Sequence, residues 1–258
     1  MTPTVSTPET PEVRRTGIWR RGRIVTAFAV LAALVLAGHS LVPDLPGKLG
    51  SLFETFLPWT AVVVPLLLLA ALIRRSALAA VAVLAPAVVW GVLFGGRFAD
   101  KRQPGGDFTI VSHNVNDENP DPAGTARALA ASGAQVVALE ELKASAVPEY
   151  EQALAGTYRY HSVQGTVGVW SSYPIHDTQP VAIMPWTRAL RTTVDSPHGS
   201  VAVYVAHLPS VRVNLAAGFT ADGRDNAIVL LMDAIRADRT GRTVLVGDFN
   251  GTTAASPR

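Results

Sequence analysis

TVLVGDFN, Thr243 to Asn250, combines a short apolar strand with a polar ending. Val244, Leu245 and Val246 make a short buried strand, and Gly247 lets the backbone turn sharply before Asp248 and Asn250. Two oxygen-bearing side chains one residue apart leave a strand end on the same side. Such a carboxylate and carboxamide can hold a water and a phosphate oxygen beside a hard cation, because Asp supplies charge and Asn both accepts and donates. A strand followed by an Asp-Asn turn is also common without any chemistry, so the stretch needs partners elsewhere in the chain.

Three more apolar strands end in the same manner. FTIVSH (Phe108–His113) is followed by Asn114, VVAL (Val136–Leu139) by Glu140 and Glu141, and VAVYVA (Val201–Ala206) by His207. An α/β fold tends to place its site at the carboxyl ends of its strands. Between them, Asp121-Pro122 opens a helix that Gly133 closes, and a second helix is expected at Val147–Leu154. Short strands are expected at Thr166–Ser171, Val181–Met184 and Arg191–Val194. Ile228, Leu231, Met232 and Ile235 recur at helical spacing just before the final strand. Polar groups gathered at strand ends suit metal-assisted hydrolysis of a phosphate ester, in which a water must be positioned and charge on phosphorus neutralised.

SHNV around Asn114, VVALEEL around Glu141, GVWSSYPI (Gly168–Ile175), VAVYVAHLPS around His207 and GDFN together resemble the endonuclease/exonuclease/phosphatase superfamily. The resemblance implies a mixed α/β (α+β) fold, a four-layer α/β sandwich of the deoxyribonuclease I-like type with its cleft at one edge. It implies magnesium-dependent hydrolysis of a phosphodiester or phosphomonoester, nuclease-like or phospholipase-like, with manganese as the alternative metal. Motif by motif, Glu141 matches the metal-binding glutamate, and Glu140 stands where a glutamine is usual. Asn114 matches the asparagine that supports metal and phosphate. Asp248 and Asn250 match the pair that orients the nucleophilic water and stabilises the pentavalent phosphate. His207 matches the histidine that contacts the phosphate, and Arg224 begins a helix where relatives often carry an arginine. Relatives continue for several dozen residues beyond GDFN, adding strands, a further aspartate and a Ser-Asp-His run. The domain at 107–258 is therefore expected to lack its C-terminal part. Two histories are open at this level, a truncated active enzyme and a degenerate hydrolase-like membrane protein that binds without hydrolysing.

The rest of the chain is of another kind. Of 258 residues 48% are hydrophobic and 16% charged, and the mean hydropathy is +0.26, too apolar for an ordinary soluble domain of this size. With no cysteine, neither a disulfide framework nor a thiolate site is available. Residues 1–102 hold 11 Lys/Arg against 5 Asp/Glu, whereas 103–258 hold 11 against 15, so the net charge of +2 conceals a mildly acidic second part. A broad basic groove for nucleic acid is not visible. Residues 1–23 read as a disordered basic cytoplasmic tail. Apolar runs at about 24–42, 56–73 and 77–94 read as three transmembrane helices, and 95–106 as a linker. The arginines before the first run and Arg74-Arg75 after the second place the N-terminus inside and the catalytic domain outside a cell membrane. The expected partners are the lipid bilayer and a phosphate ester, be it nucleic acid, phospholipid or small molecule.

Overall fold

The computed structural model describes residues 22–43, 49–100, 105–106, 108–214 and 218–251. The tail expected at 1–23 lies almost wholly outside these residues, as does 252–258. The chain forms two compact units, Met1–Pro43 with Phe53–Asp100, and Asp44–Leu52 with Lys101–Arg258.

The apolar part carries α1 (Arg23–Ala37), α2 (Leu49–Phe56), α3 (Val63–Ile73), α4 (Ala77–Ala82) and α5 (Leu84–Phe94). Two continuous helical runs are long and apolar enough to cross a membrane, Leu52–Ile73 with 22 residues and Ala77–Arg97 with 21. The expected count of three spans is therefore corrected to two among the described residues. Helix α1 has 15 residues, which at about 1.5 Å per residue falls short of a hydrocarbon core of roughly 30 Å. The run expected to reach position 42 breaks at Gly38, and His39–Leu41 tightens into a 3₁₀ turn. Within this unit the Trp90 indole N–H donates to the Pro58 carbonyl over 3.1 Å, tying one long run to the other. Ser76 caps α4 by accepting from the Ala79 amide at 3.2 Å.

The second unit is built on two four-stranded sheets. The first contains β1 (Ile110–Asn114), β2 (Val136–Glu140), β3 (Tyr160–Gln164) and β4 (Val167–Ser171) in the order β1-β2-β4-β3. The second contains β5 (Ile175–Pro180), β6 (Ala189–Ser196), β7 (Gly199–His207) and, past the small β8 (Val213–Asn214) and β9 (Gly218–Phe219) ribbon, β10 (Thr243–Asp248), ordered β10-β7-β6-β5. Helix α6 (Pro122–Ala130) is the crossover between parallel β1 and β2, and α8 (Asp222–Ala237) that between parallel β7 and β10. The remaining pairs within these two sheets are antiparallel. Asp121 caps α6 from its side chain to the Gly124 amide, 2.8 Å away, with Pro122 at the first helical position.

Strand alternation sorts the core into three layers of contact. Val136, Ala138, Val167 and Val169 of the first sheet meet Leu190, Val194, Val201, Val203 and Val205 of the second, so the sheets pack face to face. Val137, Leu139 and Trp170 turn the other way onto Ala126 of α6 and Tyr150 and Leu154 of α7 (Val147–Leu154). Ala202, Tyr204 and Ala206 turn onto Ala227 and Leu231 of α8. The result is helix, sheet, sheet, helix, with each fully buried Val or Leu contributing about 1.5–3 kcal/mol. The carboxyl end of α8 is fastened by a polar network. Arg191 on β6 pairs with Asp238 over 2.9 Å, Tyr204 on β7 donates to the same carboxylate at 2.8 Å, and the Thr240 amide donates to it at 2.8 Å.

One local expectation is corrected. Residues 181–184 form a loop, with Ile183 buried, and the strand lies earlier at Ile175–Pro180. That edge strand reads IHDTQP and is bulged, so it carries no apolar pattern to detect. Strand β3, also an edge, is half exposed and was not signalled either.

Candidate active site

The same alternation that fills the space between the sheets decides what stands at its end. Ile110, Val136, Val203 and Val246 face the inter-sheet core, and moving along each strand by twos reaches Asn114, Glu140, His207 and Asp248. Register sets Asn114 opposite Glu140 and Asp248 opposite His207. Four strands thus finish their buried face in polar groups at one end of the sandwich.

Backbone geometry aims the next residues. Glu141 has φ 60 and Asn250 φ 44, left-handed conformations that non-glycine residues adopt at some cost in strain. Gly247, at φ 138, has no such freedom to spare: a Cβ there would lie 1.9 Å from the Ala206 carbonyl oxygen of the neighbouring strand.

Glu140 is the buried member of the glutamate pair, 1% exposed, with Ser112 Oγ donating to Oε1 over 2.8 Å. Burial pushes its carboxyl up to about 7, with the Asp248 charge adding to the rise and the Ser112 hydrogen bond opposing it. Glu141 instead lines an open cleft of about 430 Å³, together with Thr166, Arg188, His207, Lys143 and Arg212.

The Asp248 carboxylate is held from both sides. Asn114 Nδ2 donates to Oδ2 at 2.9 Å and the Asn250 amide to Oδ1 at 2.9 Å. Asn250 Nδ2 donates to the Leu208 carbonyl at 2.8 Å, and Arg224 Nη1 supports the Asn250 carbonyl at 3.3 Å. His207 Nε2 lies 3.2 Å from Glu141 Oε1 and 4.0 Å from Asp248 Oδ2. Arg188, which carried no motif, is the residue sequence reasoning missed. Its Nε donates to the His207 carbonyl at 3.0 Å, and its Nη2 lies against the ring, 2.7 Å from Nδ1 and 2.5 Å from Nε2. Burial and the Arg188 charge hold the His207 pKa below its usual value, against the pull of Glu141 and Asp248.

Glu141, His207 and Asp248 present ligating atoms all within 4.8 Å of one another. Two carboxylates beside an open cleft fit a hard divalent cation, which needs one or two such ligands and keeps waters for the remainder. Asn114, the other expected metal ligand, gives its Nδ2 to Asp248, and its Oδ1 accepts from the Asn116 amide at 3.0 Å. The chemistry such a set can serve is hydrolysis of a phosphate ester.

Residues 111–257 match the Endonuclease/Exonuclease/phosphatase family. The chain belongs to this family. Among solved structures it is similar to a humanized TDP2 of D. rerio, at 20% identity and a TM-score of 0.48, covering 57% of this chain and 68% of that one. It is also similar to beta toxin from Staphylococcus aureus with bound magnesium ions (18% identity, TM-score 0.48, 58% and 68% covered). Sphingomyelinase C from Streptomyces griseocarneus is a third (20%, 0.46, 58% and 66%). The chain spans about two thirds of the length of these solved relatives. No curated protein matches it. Membership in the family points to a phosphoric ester hydrolase, carried on a mixed α/β fold with two sheets.

Proposed function

We propose that this chain is a membrane-attached, divalent-metal-dependent phosphoesterase acting on a phosphodiester or phosphomonoester. The observation that carries the reading is the convergence of Glu141, His207 and Asp248 on one small volume beside a cleft lined by Arg188, Lys143 and Arg212. In this reading Glu141 and Asp248 hold magnesium, or manganese in its place. The bound ion supplies Lewis acidity toward a phosphate oxygen. Asn114 fixes the Asp248 carboxylate, and the Asn250 amide oxygen orients the attacking water while its nitrogen is tied to Leu208. His207 and Arg188 neutralise charge that develops on the phosphate oxygens.

Attachment to a membrane is supported by the runs Leu52–Ile73 and Ala77–Arg97. Arg74 and Arg75 stand in the short turn between them.

The full chain in detergent micelles is assayed on bis(4-nitrophenyl) phosphate and 4-nitrophenyl phosphate, with magnesium and then with EDTA. The expected result is hydrolysis that EDTA abolishes and that Glu141→Gln lowers by about 100-fold or more. Hydrolysis indifferent to both treatments overturns the assignment. Magnesium binding without cleavage of any ester makes the protein a binding module instead.

A further inference from the structure

We propose that Trp186 selects the substrate of this site by stacking on a planar group esterified to the scissile phosphate, a nucleoside being the fitting class. The inference rests on the phosphoesterase reading and adds a residue that no motif marks.

Trp186 is 55% exposed, whereas Trp170, the other tryptophan of the same unit, is 1% exposed and belongs to the core. An indole left in water adds little to the fold, yet this one stands on a fixed mount. The Val181 amide donates to the Ala189 carbonyl at 2.8 Å, closing the base of its loop, and Ile183 is buried beneath. The carbonyl of Thr187 accepts from the Thr166 amide at 3.3 Å. Gly165 makes this approach feasible, since a Cβ there would lie 2.3 Å from that same oxygen. On the other side the His207 amide donates to the Arg188 carbonyl at 2.8 Å. Thr166, Arg188 and His207 all line the cleft, so the two residues that follow Trp186 are hydrogen-bonded through their carbonyls to its wall. A preorganised aromatic of this kind binds with little ordering cost.

Charge narrows the ligand. Residues 103–258 carry 11 Lys/Arg against 15 Asp/Glu, a net negative charge that disfavours a long polyanion. Recognition is then local, with Lys143 and Arg212 of the cleft meeting phosphate and the indole meeting a base. A mononucleotide or dinucleotide ester suits this arrangement better than duplex DNA.

The test uses the full chain in micelles with magnesium, titrated with thymidylyl-thymidine and followed by tryptophan fluorescence and calorimetry. The expected result is quenching in the wild type, its loss in Trp186→Ala with a Kd weaker by about tenfold, and substantial recovery in Trp186→Phe. The kcat/KM preference for thymidine 5′-(4-nitrophenyl phosphate) over methyl 4-nitrophenyl phosphate should fall by about the same factor in Trp186→Ala. An unchanged Kd overturns the proposal. So does a variant that binds the dinucleotide normally but loses binding to phosphatidylcholine–sphingomyelin vesicles, which assigns Trp186 to a lipid surface. If the wild type cleaves no ester, the phosphoesterase reading fails, while the dinucleotide titration still decides the role of Trp186.

Discussion

Asn114 and Asp248, 134 residues apart, are joined by a 2.9 Å hydrogen bond from Nδ2 to Oδ2 that links the last residues of β1 and β10 and so bridges the two sheets. The bond holds one carboxylate oxygen in place and leaves the amide little freedom to serve elsewhere. Asn114→Ala is expected to lower kcat by about 100-fold while costing only about 1 kcal/mol of stability. Steady-state kinetics and thermal melting, measured on the same preparation, separate the two effects. Equal losses in both would make the contact a structural one.

Glu141 is the half-buried carboxylate of its pair, the one that reaches the cleft, and its departure should be felt first by the cation. Magnesium is expected to raise the melting temperature of the wild type through preferential binding to the folded state. In Glu141→Gln that shift should largely vanish with the apo melting point preserved, as a thermal shift series over magnesium concentration would reveal.

Arg188 lowers the His207 pKa by its charge, while Glu141 and Asp248 act to raise it. Burial is the larger lowering influence and stays, but removing the guanidinium takes away the second, so in Arg188→Ala the ring should titrate at higher pH than in the wild type. NMR of the imidazole resonances in metal-free protein reads this directly. A ring that titrates unchanged, or lower, contradicts the placement of Arg188 against it.

Gly247 cannot accept a side chain without displacing β10 from β7, because the obstructing atom is the Ala206 carbonyl oxygen in the backbone. Gly247→Ala is expected to destabilise the domain by on the order of 3 kcal/mol or more. Urea denaturation followed by far-ultraviolet circular dichroism supplies the measurement, and a loss under about 1 kcal/mol would mean the strand yields more readily than its register implies.

Asp238 gives the fold an acid sensitivity. The Arg191 hydrogen bond, with help from Thr240 and Tyr204, holds its carboxyl well below the usual range despite burial. A group depressed in this way contributes stability that is full above the ordinary Asp value of about 4 and is lost as the pH falls below it toward the folded-state value. Melting curves between pH 3 and pH 7 should therefore slope downward on the acid side. In Asp238→Asn that contribution should be absent, at a cost of about 3 kcal/mol near neutrality from the stranded Arg191.

Part of the site is legible along the chain alone. Apolar runs with period-two alternation fix which face of each strand is buried, and Asn114, His207 and Asp248 close those runs. The same logic made α6, α7 and the long helix before GDFN legible, since each has a cap or a helical apolar period. The remainder depends on how the strands pair and turn. Glu140 and Glu141 are chemically identical neighbours, and only the left-handed turn at Glu141 sends one into the core and the other into the cleft. Arg188 acquires a role solely because β6 pairs beside β7, bringing it to His207. The edge strands β3 and β5 had no pattern to show, because a strand exposed along one side is selected for solubility rather than burial. The number of spans likewise escaped hydropathy alone: the first run is apolar enough, but helix geometry ends it at Gly38, before it is long enough to cross.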